Sequence, residues 1–119
     1  MNDKNTRAAD YLGHILQAIA RIDRYTADLG ELGFLANELV QDAVIRNFEI
    51  IGEASRNIER NCPEFAAAHR DLPLLNAYEM RNALAHGYFR VDLEIVWKTI
   101  QNDLPELQRQ IEALIKDLS

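Results

Sequence analysis

Two residues whose types suit proton transfer and anion contact stand close together in RNALAHGY, Arg81 to Tyr88. The run from Leu74 to His86 reads as a helix stopped by Gly87. At about 100° per residue, Asn82 and His86 share nearly one face of it, while Arg81 lies roughly 140° from His86 around the axis. The long arginine side chain can still swing toward the same polar groove. His86 falls in the last helical turn, where the carbonyl ends of the backbone dipoles favour the imidazolium and raise its pKa toward neutrality or above. A histidine so placed can donate or accept a proton at cellular pH. An arginine paired with a carboxylate and a histidine capping a helix end fit the same spacing, and on spacing alone that plainer reading is favoured.

The elements that must position these residues are all helical. Ala8, Tyr11, Leu12, Ile15, Leu16, Ile19 and Ile22 follow one another at three-and-four spacing, which predicts a helix from about Lys4 to Leu29, closed off by Gly30 and Gly33. A second helix is expected from roughly Leu35 to Asn61, with Leu39, Val40, Ala43, Val44, Phe48, Ile50, Ile51, Ala54 and Ile58 toward a core and Pro63 ending it. Pro63 to Pro73 reads as a short helical turn and loop. The last helix begins near Asp92, a good N-cap, and runs to the C-terminus with a bend or restart at Pro105. Its apolar side is made of Val91, Ile95, Trp97, Ile100, Leu104, Leu107, Ile111, Leu114, Ile115 and Leu118. No strand-like alternation appears, so the expected fold is all-α, an antiparallel bundle of four to five helices.

The 119 residues are about one domain's length, and 48% hydrophobic content is enough to pack a core, so a single domain over residues 1–119 is expected. The opening segment mixes charges into its apolar residues, and no apolar run approaches the roughly 18 to 20 residues that span a bilayer. The expectation is a soluble, cytoplasmic protein with no membrane contact. Cys62 is the only cysteine, which excludes an intrachain disulfide and leaves it a passive role before Pro63. Neither His14 nor His69 has the context of a metal ligand, and no metal site is expected. The net charge of -6 argues against a surface that attracts nucleic acid everywhere. Any contact with nucleic acid must be local.

Arg81, the intervening NALA, His86, Gly87 and Tyr88 match in full a signature of arginine, four variable residues, histidine, any residue, tyrosine. On that motif the chain resembles the HEPN domain family, and within it the HepT-like toxins. DAVIRNFEIIGEASRNI on the second helix and GYFRVDLEIVWKTIQNDLPEL after the motif look like the same pattern, so the resemblance spans essentially the whole chain. It implies a metal-independent endoribonuclease without a cofactor, formed as a two-fold homodimer whose arginines and histidines face each other across a cleft. In that scheme His86 moves protons and Arg81, whose planar fork suits phosphate oxygens, stabilises the charge. The resemblance further implies that Tyr88 accepts AMP from a partner nucleotidyltransferase antitoxin, although a tyrosine just past a helix end serves equally to close it.

Asn82 either orients His86 or contacts RNA, or else bonds only to backbone or water. Arg46, Glu49, Glu53, Arg56 and Arg60 make a stripe of mixed sign along the second helix, for which a solvated, ion-paired face is the ordinary reading. The functional alternative makes Arg46 and Glu53 the wall of the cleft, holding Arg81 or His86 in place. Two other functions stay open at this point. One is a non-catalytic HEPN subunit that binds a nucleotidyltransferase partner or a nucleotide, and the other is a plain helical dimerisation module.

Overall fold

The computed structural model describes residues 3–72 and 92–118. The expected helix from Leu74 to His86, and with it Arg81, Asn82, His86 and Tyr88, lies outside the described residues. Within them every regular element is a helix and none is a strand. The all-α expectation holds.

The helix α1 (Asp3–Thr26) buries Ala8, Leu12, Ile15, Ala18, Ile19 and Ile22 along one line, the face its sequence period called for. It ends three residues before the expected Leu29. The Thr26 hydroxyl turns back to donate to the Ile22 carbonyl at 2.8 Å, and the Leu29 amide donates to the Thr26 carbonyl at 3.0 Å, which closes the turn. Gly33 does not terminate anything. It sits inside a one-turn helix, α2 (Glu31–Leu35), and a Cβ added there would come within 3.3 Å of the Leu29 side chain.

Leu35 belongs to α2, so the next helix, α3 (Glu38–Asn61), starts three residues later than expected. Its start is fixed by Asn37, whose side chain accepts from the Val40 amide at 3.1 Å. Gln41, buried one turn in, donates from Nε2 to the Phe34 and Leu35 carbonyls at 2.9 and 3.1 Å and so satisfies the orphan carbonyl end of α2. Val44, Phe48, Ile51, Ala54 and Ile58 face α1. Leu39, expected in the core, is 80% exposed, because it lies about 140° around α3 from Val44. The two long helices run antiparallel: Asn61, at the end of α3, donates to the hydroxyl of Tyr11 near the start of α1 at 3.0 Å.

Pro63 ends one helix by opening another. The Cys62 amide still bonds to Ile58, while its carbonyl already accepts from Ala66, and Pro63 takes the first position of α4 (Pro63–Ala68), where a missing N–H costs nothing. Phe65 and Ala66 tuck under the core from this short helix.

After Asp92 the chain is helical to Leu118. The Asp92 carboxylate accepts from the Glu94 and Ile95 amides at 3.1 and 3.2 Å, which makes it the expected cap of α5 (Leu93–Lys98). A wide π turn over Thr99–Asp103 then leads into α6 (Leu104–Leu118). That turn is the form the expected irregularity at Pro105 takes. The proline has no N–H for the Gln101 carbonyl and its ring would press on it, and widening the preceding turn relieves both. Val96, Ile100, Leu104, Leu107 and Ile111 are buried, and α6 packs on α1. Ile95 departs from expectation: at 52% exposure it lies off the apolar line of Val96 and Ile100. Trp97 meets Phe34 with ring centroids 5.4 Å apart, tying α5 to α2.

Candidate functional site

α3 positions the described part of the candidate site. With Val44, Ile51, Ser55 and Ile58 turned to α1, the helical angle sends Arg46, Glu49, Glu53, Arg56 and Arg60 to the opposite side. They form one stripe with three positive and two negative charges, so the local balance differs in sign from the acidic whole. Arg46 and Glu53 are seven residues and nearly two turns apart on one face, about 10 Å along the axis. Arg46 reaches Glu49, Nη1 to Oε2 at 3.4 Å, with the arginine side chain 70% exposed. A pair so exposed adds little stability. At this end the stripe is the solvated face that ordinary reading expects.

Glu53 is different in degree. It is half-buried although it lies opposite the core, and both it and Arg56 have interactions of their own. Arg81, Asn82, His86 and Tyr88 lie outside the described residues, and with them the contacts expected of Arg46 and Glu53 as the wall of a cleft.

Three polar residues of α3 that the sequence reading passed over are buried: Gln41, Asn47 and Ser55. Gln41 caps α2, and the Ser55 hydroxyl donates to the Ile51 carbonyl at 2.7 Å, so both have structural work. Asn47 is 4% exposed; its Nδ2 donates to the Ala43 carbonyl at 2.8 Å, while its Oδ1 is buried with no donor among the described residues. The signal was in the helical angle, which places Asn47 with the buried Ala54 rather than with its neighbour Arg46.

The remaining candidates have passive settings. His14 is exposed and meets Tyr11 edge-on, ring centroids 6.4 Å apart; His69 lies 4.4 Å from the Phe65 ring. The Cys62 thiol is buried, and burial pushes its pKa up against a smaller opposite pull from Arg7, so it stays protonated and unreactive. Among the described residues no three His, Cys, Asp or Glu side chains gather where they could hold a metal ion. No helix among them is long and apolar enough to cross a membrane.

The family model described as ribonuclease HepT-like matches residues 15–114, a span that includes α3, the Arg81–Tyr88 motif and most of α6. A probable ribonuclease HepT of Thermococcus cleftensis is 41% identical over 107 residues, covering 90% of this chain and 94% of that protein. A putative RNase of Methanocaldococcus jannaschii is 32% identical over 114 residues, covering 96% of this chain and all of that protein. A gamma-glutamylcyclotransferase and putative RNase of the same organism is 40% identical over 108 residues. Those residues are 91% of this chain but 47% of that relative, so the chain spans about half its length. No solved structure matches the chain. With most of its length covered by the family model and by relatives above 30% identity, the chain belongs to the ribonuclease HepT-like family.

Proposed function

We propose that this ribonuclease of the HepT-like family is a metal-independent endoribonuclease toxin whose site is shared between two protomers. The observation that carries the reading is the family match over residues 15–114, which takes in Arg81, His86 and Tyr88 in their full motif spacing. In the proposed reaction the ribose 2'-hydroxyl attacks the adjacent phosphorus, and the bond from phosphorus to the 5'-oxygen breaks. One His86 takes the 2'-proton and the other gives a proton to the departing 5'-oxygen. The products are a 2',3'-cyclic phosphate and a free 5'-hydroxyl. Two Arg81 guanidiniums hold the extra negative charge that builds on the phosphoryl oxygens. A two-fold dimer supplies both copies of each group around one scissile phosphate. Doubling a small basic cluster in this way also offsets the net negative charge of the chain. Arg46 and Glu53 are proposed as the wall of the cleft, and Asn82 as a further contact to His86 or the RNA.

The test is incubation of the purified chain with structured and unstructured RNA in excess EDTA, with sedimentation of the same sample. Cleavage in EDTA by a dimer is expected. A requirement for divalent metal, or a monomer at micromolar concentration that still cleaves, overturns the shared metal-free site.

Tyr88 is the proposed control point. Transfer of AMP to its hydroxyl by a nucleotidyltransferase antitoxin places negative charge and bulk two residues from His86, where the substrate phosphate must sit. Co-expression with a nucleotidyltransferase encoded beside this chain should therefore add AMP-sized increments to the intact mass and remove cleavage. Tyr88→Phe should carry no increment and remain active in the presence of that partner. An increment that survives Tyr88→Phe places the modification elsewhere.

A further inference from the structure

The large apolar side chains that stand exposed among the described residues are Leu32, Leu39 and Ile95, and all three fall at one end of the bundle. Leu32 is on α2, Leu39 in the first turn of α3 and Ile95 on α5. α2 joins these elements, since Gln41 of α3 binds its carbonyl end and Phe34 meets Trp97 of α5. None of the three exposed side chains packs the fold. Leu32 and Leu39 lie about 160° around their helices from Phe34 and Gln41, which do. Single exposed leucines are ordinary on a protein surface, whereas three gathered at one end with acids around them mark a place of contact. The same end carries the chain's negative charge. Asp28, Glu31, Glu38 and Asp42 are exposed there, and no Lys or Arg stands between Tyr25 and Ile45. Asp92 and Glu94 add two more exposed acids beside Ile95. These six equal the whole excess of 19 acidic over 13 basic residues, so the rest of the chain is balanced.

We propose that the end formed by α2, the start of α3 and α5 is a docking surface for a partner protein that presents a basic amphipathic helix. The charge selects this occupant. Nucleic-acid phosphates and acidic lipid headgroups are repelled by such a surface, and a second copy brought up through the same end would set six acids against six. A helix with one apolar face and Lys or Arg at its edges lays the apolar face on Leu32 and Leu39 and its cations on the acids beside them. The two parts of the surface then divide the work: the acids steer the encounter, and the leucines, leaving water only in the complex, slow its release. No residue of the Arg81–Tyr88 motif enters this proposal, so it stands independently of the ribonuclease reading.

The experiment measures binding of a fluorescent synthetic helix with leucines on one face and lysines at its edges, beside the same peptide with glutamates in place of the lysines. The lysine peptide should bind the folded chain, and the glutamate peptide about tenfold more weakly or not at all. Leu32→Ser with Leu39→Ser should weaken binding by about tenfold or more, chiefly through faster dissociation. Asp28→Lys with Asp42→Lys should weaken it by a similar factor, chiefly through slower association. All four side chains are exposed, so both variants should melt within about 5 °C of the parent. Asp10→Lys with Glu59→Lys makes the same charge change at the end where Tyr11 meets Asn61, and should leave affinity within about twofold. Failure of the lysine peptide to bind, equal losses from charge changes at the two ends, or no loss from the leucine substitutions overturns the proposal. Sedimentation reads the other occupant. The mass of the leucine variant should equal that of the parent, and a smaller one would assign the leucines to a second copy of the chain and overturn the proposal as well.

Discussion

Substituting His86→Ala should reduce EDTA-resistant RNA cleavage by about a thousandfold or more, and Arg81→Ala by about a hundred- to a thousandfold. The two magnitudes follow from different steps. Each His86 copy is assigned one proton transfer, and general acid–base catalysis by a positioned side chain contributes roughly 10² to 10⁴ in rate. Since the same substitution removes both copies in a symmetric dimer, base and acid are lost together. Arg81 is assigned charge stabilisation, where loss of a donor costs about 10² to 10³. Arg81→Lys should recover only part of it, because an ammonium keeps the charge but not the two-pronged fork. The shared site makes a second, sharper statement. Mixing parent chain with an excess of His86→Ala chain should lower activity well beyond dilution, since each mixed dimer holds only one imidazole. Activity that scales simply with the amount of parent chain would show that one protomer suffices. Full activity in both single variants would remove these residues from the reaction.

The long helices were legible because their burial is one-sided. Ala8, Leu12, Ile15, Ile19 and Ile22 in α1, and Val44, Ile51 and Ile58 in α3, are buried where the three-and-four period puts them. Even the π turn had a trace in the sequence. Val96, Ile100 and Leu104 follow at four and four, a spacing that drifts about 40° per step on an α-helix and that a wider turn takes up. The short α2 was not legible, since one turn offers no period to read and Gly30 and Gly33 look like terminators. Leu39 and Ile95 were misplaced by counting them into an apolar run without asking for their angle around the axis.

The candidate site was legible in kind more than in placement. The Arg81–His86–Tyr88 spacing named residue types and pointed to the family, whereas the partners of those side chains depend on contacts between distant segments that periodicity does not contain. Arg46 shows the difference: its place on the stripe and its pairing with Glu49 three residues on follow from the spacing, but what stands across from the stripe does not. Asn47 shows it more strongly. As a polar residue beside Arg46 it passes for part of the solvated stripe, and only its angle on the helix reveals that the fold buries it.

Phe34→Ala should lower stability by about 3 to 5 kcal/mol and the melting temperature by about 10 °C or more, while Leu32→Ala, two residues away, should change stability by no more than about 0.5 kcal/mol. A five-residue helix cannot hold itself together in water, so α2 exists because something anchors it. Phe34 is fully buried, with its ring 5.4 Å from that of Trp97, and the Gln41 side chain binds its carbonyl. Removing the ring opens a cavity where the α1–α3 connection meets α5, and neither short helix has spare contacts with which to close it. Leu32 is 83% exposed on the same turn, so it reports propensity without burial. Trp97 is the only tryptophan, and urea unfolding followed by its fluorescence reads the affected junction directly. Comparable losses in both variants would contradict the burial of α2 as seen here. A loss in Leu32→Ala alone that shrinks on dilution would mean that a second copy of the chain covers the exposed leucine in solution.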